Sequence, residues 1–154
     1  MDIPEFLIKA RELEKLASIL YESLAAVSSD PDIAKRLKSL SNEEINHANV
    51  LNAGLNYYEQ MPDVFTGPSV DDEELWTEID EAKRFHVLIV PGFKLLEGLQ
   101  KMLELEKHFE KVHADTSVRV TEPSLRKLFM DLMKGDQSHI LVLKELIKSL
   151  GEKG

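Results

Sequence analysis

Cysteine is absent from this chain of 154 residues. Disulfide bonds, thiolate metal sites and cysteine nucleophiles are therefore excluded. Any metal ion bound here must take carboxylate and imidazole ligands, which suit iron or manganese better than a structural zinc ion. Because a chain of this length can bury a core without disulfide bonds, the sequence predicts a single domain over residues 1–154.

Positive charge is also scarce, with 19 Lys and Arg against 28 Asp and Glu and a net charge of −9. This balance argues against nucleic acid and anionic membranes as partners, because no basic surface is available to meet phosphates. No apolar run approaches the length that spans a membrane. The start, Met1 to Glu5, lacks the basic and apolar stretches of a secretory signal, so we expect a soluble, cytoplasmic protein.

Apolar residues recur at intervals of three and four over most of the chain, the spacing of the buried face of a helix. The pattern predicts four long helices, over residues 3–27, 31–58, 91–114 and 123–151. The second and fourth helices each begin at an acidic residue followed by proline, Asp30-Pro31 and Glu122-Pro123, which is typical of a helix start. The sequence therefore predicts an all-α fold.

A long connection, residues 60–91, lies between the second and third helices. Met61-Pro62 and Gly67-Pro68 predict turns within it, and residues 73–84 predict a short helix. A connection of this length can run along a whole bundle, so the second and third helices need not be antiparallel neighbours. One long crossover in a four-helix bundle is the ferritin-like topology.

Metal-ligand residue types repeat at a fixed distance in the two halves of the chain. The set comprises Glu14, Glu44, His47, Glu106, Asp136 and His139. Each member of the first half has a counterpart 92 residues later (106−14, 136−44 and 139−47). In both halves the first glutamate also precedes the carboxylate-x-x-His motif by 30 residues (44−14 and 136−106). One isolated motif of this kind is weak support for a metal site, whereas the repeated combination strongly favours one.

The predicted helices place these six side chains in the interior. Residues three apart lie on one helix face, so each carboxylate-x-x-His motif can bind one metal ion. All six side chains fall on the apolar stripes of their helices. Four buried carboxylates would be very costly without partners, and two divalent cations would neutralise them. The repeat thus predicts a two-metal site inside a helical bundle.

This pattern resembles the ferritin-like superfamily of di-iron carboxylate proteins and, within it, the rubrerythrins. The Glu14-x6-Tyr21 spacing is also similar to that of ferritins and rubrerythrins, in which the tyrosine lies close to the metals. The resemblance implies a ferritin-like four-helix bundle with a pseudo-twofold internal repeat. Its halves would be residues 1–60 and 92–152, with residues 60–91 as the crossover.

The resemblance also implies a role for each ligand. Glu14 and Glu106 would each bind one metal ion, Glu44 and Asp136 would bridge the pair, and His47 and His139 would each bind one ion. Electrons would come from a separate donor protein, because no cysteine is present to hold the iron–sulfur centre that rubrerythrins carry.

Besides the missing iron–sulfur centre, the chain departs from the rubrerythrin pattern at Asp136 and Phe109. Asp136 is one methylene shorter than the usual glutamate, which leaves bridging, single-metal and water-mediated binding open. Rubrerythrins carry a further glutamate where this chain has Phe109, and Glu110 is the nearest substitute and a possible extra ligand. His113 occupies the repeat position of Tyr21 (113−21 is also 92). It could be a seventh ligand, a proton relay or a hydrogen-bonding neighbour of the ligands, and we favour the last.

The function that the resemblance implies is a reaction of a di-iron pair with hydrogen peroxide or oxygen in oxidative-stress defence. Such a protein would be an oxidoreductase of peroxidase or ferroxidase type, forming a homodimer or a higher homo-oligomer. Manganese or a mixed pair uses the same ligand types as iron. Two alternatives stay open: a ferroxidase that handles iron, and a non-catalytic bundle that binds metal.

Overall fold

The structure is a computed structural model, and it describes residues 3–64 and 72–153. Within these ranges the chain forms α-helices and one 3-10 turn, and no strand occurs in them. The helices are α1 (Ile3–Val27), α2 (Pro31–Gln60), α3 (Asp72–Leu88), α4 (Leu95–Ser117) and α5 (Pro123–Lys153), and the 3-10 turn is Pro62–Val64. The prediction of an all-α protein is confirmed.

The predicted starts of α2 and α5 are confirmed by their capping contacts. An Asp30 side-chain oxygen accepts hydrogen bonds from the backbone N–H groups of Asp32 and Ile33, at 2.9 and 3.3 Å. At the start of α5, Glu122 Oε2 accepts one from the N–H of Leu125 at 2.7 Å. A cap of this kind contributes about 1 kcal/mol to stability. These contacts fix where α2 and α5 begin, and so the register of the predicted ligands on those two helices.

The region before α4 differs from the sequence prediction. The expected helix start near residue 91 is wrong, because α4 begins at Leu95. Gly92 has a φ of +93° and the Phe93 N–H donates to the Val90 carbonyl at 2.9 Å, so these residues form a turn. The helix predicted over residues 73–84 is longer than expected, at Asp72–Leu88. The predicted turn at Gly67-Pro68 lies outside the described residues.

The helices pack as two hairpins around a shared core. Helix α1 packs most extensively on α2, and α4 on α5, whereas contacts between the two hairpins are fewer. One cluster of buried apolar side chains includes residues of all five helices. The sparse contact between the hairpins matters because the predicted ligands are divided between them.

Helix α3 covers part of the α1–α2 hairpin. Its buried residues Leu75, Ile79 and Phe85 lie along one face, and α3 packs against α1. At the edge of this contact the Lys9 ammonium lies 4.0 Å from the centroid of the Trp76 ring. None of the described helices is long and apolar enough to cross a lipid bilayer.

Candidate metal centre

The structure brings all six predicted ligands together between the hairpins. Helix α1 supplies Glu14, α2 supplies Glu44 and His47, α4 supplies Glu106, and α5 supplies Asp136 and His139. Five of them are at most 1% exposed, and the His47 side chain is 12% exposed. Four carboxylates therefore share one water-poor space, which is costly unless something compensates their charge.

Many polar atoms in this space lack hydrogen-bond partners. Among the described residues they include both carboxylate oxygens of Glu14 and of Glu44, Glu106 Oε2, Asp136 Oδ1 and His47 Nδ1. Buried polar atoms in native proteins nearly always have a partner, so such a group needs an explanation. The atoms are all metal-ligand types, and they lie in one cluster.

His47 faces three of these carboxylates. Its Nδ1 lies 3.8 Å from Glu14 Oε2, 3.7 Å from Glu44 Oε2 and 3.8 Å from Asp136 Oδ1. Ligand atoms that are each about 2.0–2.2 Å from one ion are roughly 3–4 Å from each other. The His47 nitrogen is thus too far from these three oxygens for hydrogen bonds, and its spacing from each of them suits a shared metal ion.

His139 faces a different pair of carboxylates. Its Nδ1 lies 2.7 Å from Glu44 Oε1 and 3.1 Å from Glu106 Oε1. The two oxygens of Glu44 are therefore directed to two different imidazoles, whose rings stack with centroids 5.1 Å apart. A carboxylate placed in this way can bridge two metal ions, one beside each histidine.

Glu43 holds the far side of His139, a contact that the sequence did not predict. Its Oε2 lies 2.7 Å from His139 Nε2. A carboxylate at this nitrogen favours the tautomer with the proton on Nε2 and leaves Nδ1 free to bind metal. Glu43 does not fall on the apolar stripe of α2. Its position directly before Glu44 is the only feature of the sequence that could have indicated a role in the centre.

His113 is buried in the centre and contacts two of the predicted ligands. It is 2% exposed, its Nδ1 is 2.5 Å from Asp136 Oδ2, and its Nε2 is 3.2 Å from Glu14 Oε1. Tyr21, at the equivalent repeat position, is fully buried and donates to Glu106 Oε1 at 2.7 Å. The two repeat-related positions therefore contact different ligands.

Glu110, the possible extra ligand, lies at the protein surface. Its Oε1 accepts a hydrogen bond from Gln137 Nε2 at 3.0 Å, between exposed side chains. It belongs to neither of the ligand groups that the described residues form. A surface bond of this kind leaves Glu110 free to change without disturbing the buried cluster.

Protonation compensates part of the buried negative charge. Burial, together with the charges of Glu106 and Glu14, raises the pKa of Glu44 well above its usual value. Burial also raises the pKa of Asp136 to about 7, although His113 acts in the opposite direction. Burial alone would raise the pKa of Glu14 as well, but its contacts with Glu44, His113 and His47 outweigh that effect and lower it.

His113, His139 and Tyr21 retain their protons for related reasons. Burial lowers the pKa of His113, but the Asp136 carboxylate outweighs this and raises it to about 10. Burial likewise lowers the pKa of His139, while Glu106 and Glu43 raise it to about 9. Burial and the Glu106 charge raise the pKa of Tyr21 well above its usual value, so its O–H remains a donor.

Gly135 makes room for His47, and this gives a direct test of the centre. A Cβ atom at position 135 would lie 2.6 Å from His47 Nε2 and 2.9 Å from its Cε1. We expect Gly135→Ala to displace the imidazole and to weaken metal binding beside His47 about 10- to 100-fold. A titration of the metal-free protein with Co²⁺ measures this affinity.

Gly54→Ala is the matched control, because a Cβ there meets Phe129 Cζ and Leu125 Cδ1 at ordinary contact distances of 3.8 and 4.0 Å. Both glycines lie inside helices, where alanine is more favourable by about 1 kcal/mol, so neither change should weaken the helix itself. Equal cobalt affinity in the two variants would show that His47 does not bind the metal.

Two groups of side chains in the centre each bring three possible ligand atoms close together. Glu44, His47 and His139 form one, and Glu14, His113 and Asp136 the other; in each, the ligand atoms lie within 4.8 Å of one another. These buried groups can hold metal ions.

Comparisons with protein-family models, curated proteins and solved structures find no match to this chain. The inference of metal binding therefore depends on these side chains alone.

Proposed function

We propose that this protein holds two metal ions, most simply two iron ions, between its hairpins. The observation that carries the proposal is Glu44, whose two unpartnered oxygens are directed to His47 and His139 respectively. The donors are carboxylates and imidazoles without thiolates, a set that suits iron or manganese. Two divalent cations would neutralise the four carboxylates and use the polar atoms that lack hydrogen bonds.

The proposal includes a ferritin-like architecture with a pseudo-twofold repeat. Helices α2 and α5 begin at residues 31 and 123, so their starts are 92 apart. The ligands carry the same offset, and each hairpin supplies one carboxylate-x-x-His motif. The described part of the 61–94 connection, with α3 packed on α1, is consistent with a crossover along the bundle.

The reaction that we propose is the two-electron reduction of hydrogen peroxide, or of oxygen, of the rubrerythrin type. When bound, the iron pair supplies the redox chemistry: two electrons and two protons convert one peroxide into two waters. A separate donor protein returns the electrons. The chain itself binds the pair and surrounds it with a buried, water-poor space.

Tyr21 and Glu43 orient two of the proposed ligands, and Tyr21 can also supply a proton. The Tyr21 O–H donates to Glu106 Oε1, and Glu43 Oε2 contacts His139 Nε2. These contacts fix the orientation of Glu106 and His139. The raised pKa of Tyr21 keeps its proton in place at neutral pH. A buried donor close to the reacting atoms can assist O–O cleavage without bulk water.

Metal content and a single turnover test this function. Protein purified without oxygen should contain two metal ions per chain, and one equivalent of peroxide should oxidise the reduced pair faster than oxygen does, with a change in visible absorbance. Less than one metal ion per chain would contradict the proposal.

A size measurement separates peroxide reduction from iron handling. A dimer or another small oligomer is expected for the peroxide reaction. A large hollow shell that oxidises many ferrous ions per chain would instead identify an iron-storage protein.

A further inference from the structure

We propose that His113 restricts Asp136 to one metal ion, so that Glu44 alone bridges the pair and the metal beside His139 keeps an open position for a small anion or peroxide. This inference depends on the proposed dinuclear centre. It assigns the open position to one of the two metals, and it makes His113 a positioning residue.

The two oxygens of Asp136 have different neighbours. Asp136 Oδ2 lies 2.5 Å from His113 Nδ1, a short hydrogen-bonding distance between a ring nitrogen and a carboxylate. Asp136 Oδ1 has no hydrogen-bond partner and lies 3.8 Å from His47 Nδ1. One oxygen is therefore taken by His113, and the other is directed to the metal position beside His47.

The repeat makes the difference between the two bridging candidates clear. Asp136 is the counterpart of Glu44 (136−44 is 92), and it is one methylene shorter. Glu44 reaches both imidazoles, whereas within the described residues the carboxylates that lie close to His139 Nδ1 are those of Glu44 and Glu106. Asp136 is thus oriented away from the position that it would need in order to bridge.

His113 lies between carboxylates of two other helices. It extends from α4 between α1 and α5, with Nε2 3.2 Å from Glu14 Oε1 and Nδ1 against Asp136. The Glu14 oxygen has no hydrogen bond despite this short distance. The Nδ1 contact is therefore the one that orients Asp136.

The result is an unequal number of protein ligands at the two positions. Beside His47 the carboxylates of Glu14, Glu44 and Asp136 all approach Nδ1 within 3.8 Å. Beside His139 only Glu44 and Glu106 do so among the described residues. A metal ion with three protein ligands retains coordination positions for exogenous molecules, as catalytic metal sites do.

Azide binding to the cobalt-loaded protein tests this assignment without any turnover. The wild-type protein with two Co²⁺ ions should bind one azide per pair, visible as a change in the cobalt absorption bands. His113→Leu removes the contact and lets Asp136 bridge, so azide affinity should fall at least about tenfold. His113→Asn places an amide N–H near the position of Nδ1 and should keep azide affinity within about threefold of wild type.

The two variants also separate positioning from direct metal binding. Asparagine lacks an equivalent of Nε2, so loss of one cobalt ion from both His113→Asn and His113→Leu would identify His113 as a ligand and overturn the proposal. Equal azide affinity in all three proteins would overturn it as well. His86→Gln, at an exposed histidine of α3, is the control and should bind azide as the wild type does.

A second measurement does not depend on how well the variants fold. In a crystal structure of the cobalt-loaded wild type, Asp136 should bind one cobalt ion and keep its other oxygen on His113; binding to both ions would overturn the proposal. Wild-type protein that binds two cobalt ions and azide but does not reduce peroxide would contradict the proposed function alone. Failure to bind two cobalt ions would contradict both.

Discussion

Replacing Glu44 with glutamine is expected to abolish binding of the metal pair while leaving the metal-free protein folded. The side chain is fully buried and lies between His47 and His139, so the substitution removes the bridging charge without changing the shape of the site. Loss of a residue that only supports a ligand typically costs 10- to 100-fold in affinity, so loss of the bridge should cost more than about 100-fold. The proposed peroxide reaction should disappear with the metals.

The same substitution should not lower the stability of the metal-free protein. Burial and the charges of Glu106 and Glu14 raise the pKa of Glu44 well above its usual value, so the site without metal favours its protonated form. Glutamine resembles that protonated form, and the unfolding temperature without metal should be unchanged or higher.

Cobalt titration and thermal unfolding with and without a chelator measure the two effects. Glu110→Gln is the matched control, because its carboxylate accepts a hydrogen bond at the surface and belongs to neither ligand group. Glu44→Gln protein that retains two tightly bound metals would show that Glu44 is not a bridge.

The stability of the metal-free protein is expected to fall as the pH rises from about 4 to about 10, and metal loading should reverse this trend. For the acids Glu44 and Asp136 the folded-state pKa is raised, so their contribution is present at low pH and is lost as the pH rises, through about 7 for Asp136. For His113 and His139 the folded-state pKa is raised from 6.5 to about 10 and about 9 respectively. Their contribution to stability is therefore fully present below pH 6.5 and is lost as the pH rises through about 9 and 10.

Glu14 has the opposite sign, which places the stability maximum near the start of that range, at about pH 4. Its pKa lies below the usual value of 4.5, so its contribution is present above that value and is lost as the pH falls. On the alkaline side, the shift of Asp136 alone, from 3.8 to about 7, corresponds to several kcal/mol, at about 1.4 kcal/mol per pKa unit. In a chain of this size that is a fall in unfolding temperature of about 10 °C.

Bound metal should give the opposite slope because protons compete with metal for the ligands. At pH 8, metal in hundredfold excess over its dissociation constant should add about 2.7 kcal/mol or more. Thermal unfolding across this pH range, with a chelator and with saturating Co²⁺, gives both slopes. Asp136→Asn should flatten the metal-free slope between about pH 4 and about pH 7. A metal-free protein that becomes more stable between pH 5 and 9 would contradict a buried carboxylate cluster.

The helix boundaries were largely predictable because local signals determine them. The Asp30 and Glu122 caps with their prolines marked the starts of α2 and α5, and the caps appear where expected. The start of α4 was not predictable in the same way. Pro91-Gly92 resembles a helix start in sequence, but the positive φ of Gly92 places it in a turn before the helix. Whether a proline opens a helix or a turn depends on the backbone that follows it.

The ligand cluster was predictable because helical periodicity placed all six side chains on buried faces. The supporting contacts were not, because they depend on how one helix is rotated against another. Glu43 lies off the apolar stripe of its own helix and still reaches His139 on α5. His113 was expected only to lie near the ligands, and its contact with Asp136 requires the relative position of α4 and α5.

The division of the ligands between the two hairpins has a consequence for folding. The hairpins contact each other less than the helices within each hairpin do, and the ligands Glu14 and Asp136 on either side are 122 residues apart in the chain (136−14). In a protein without cysteine, metal ions that bind across this boundary would act as reversible cross-links. Cross-links that close long loops restrict the unfolded chain most, so metal binding and docking of the hairpins should be one cooperative event.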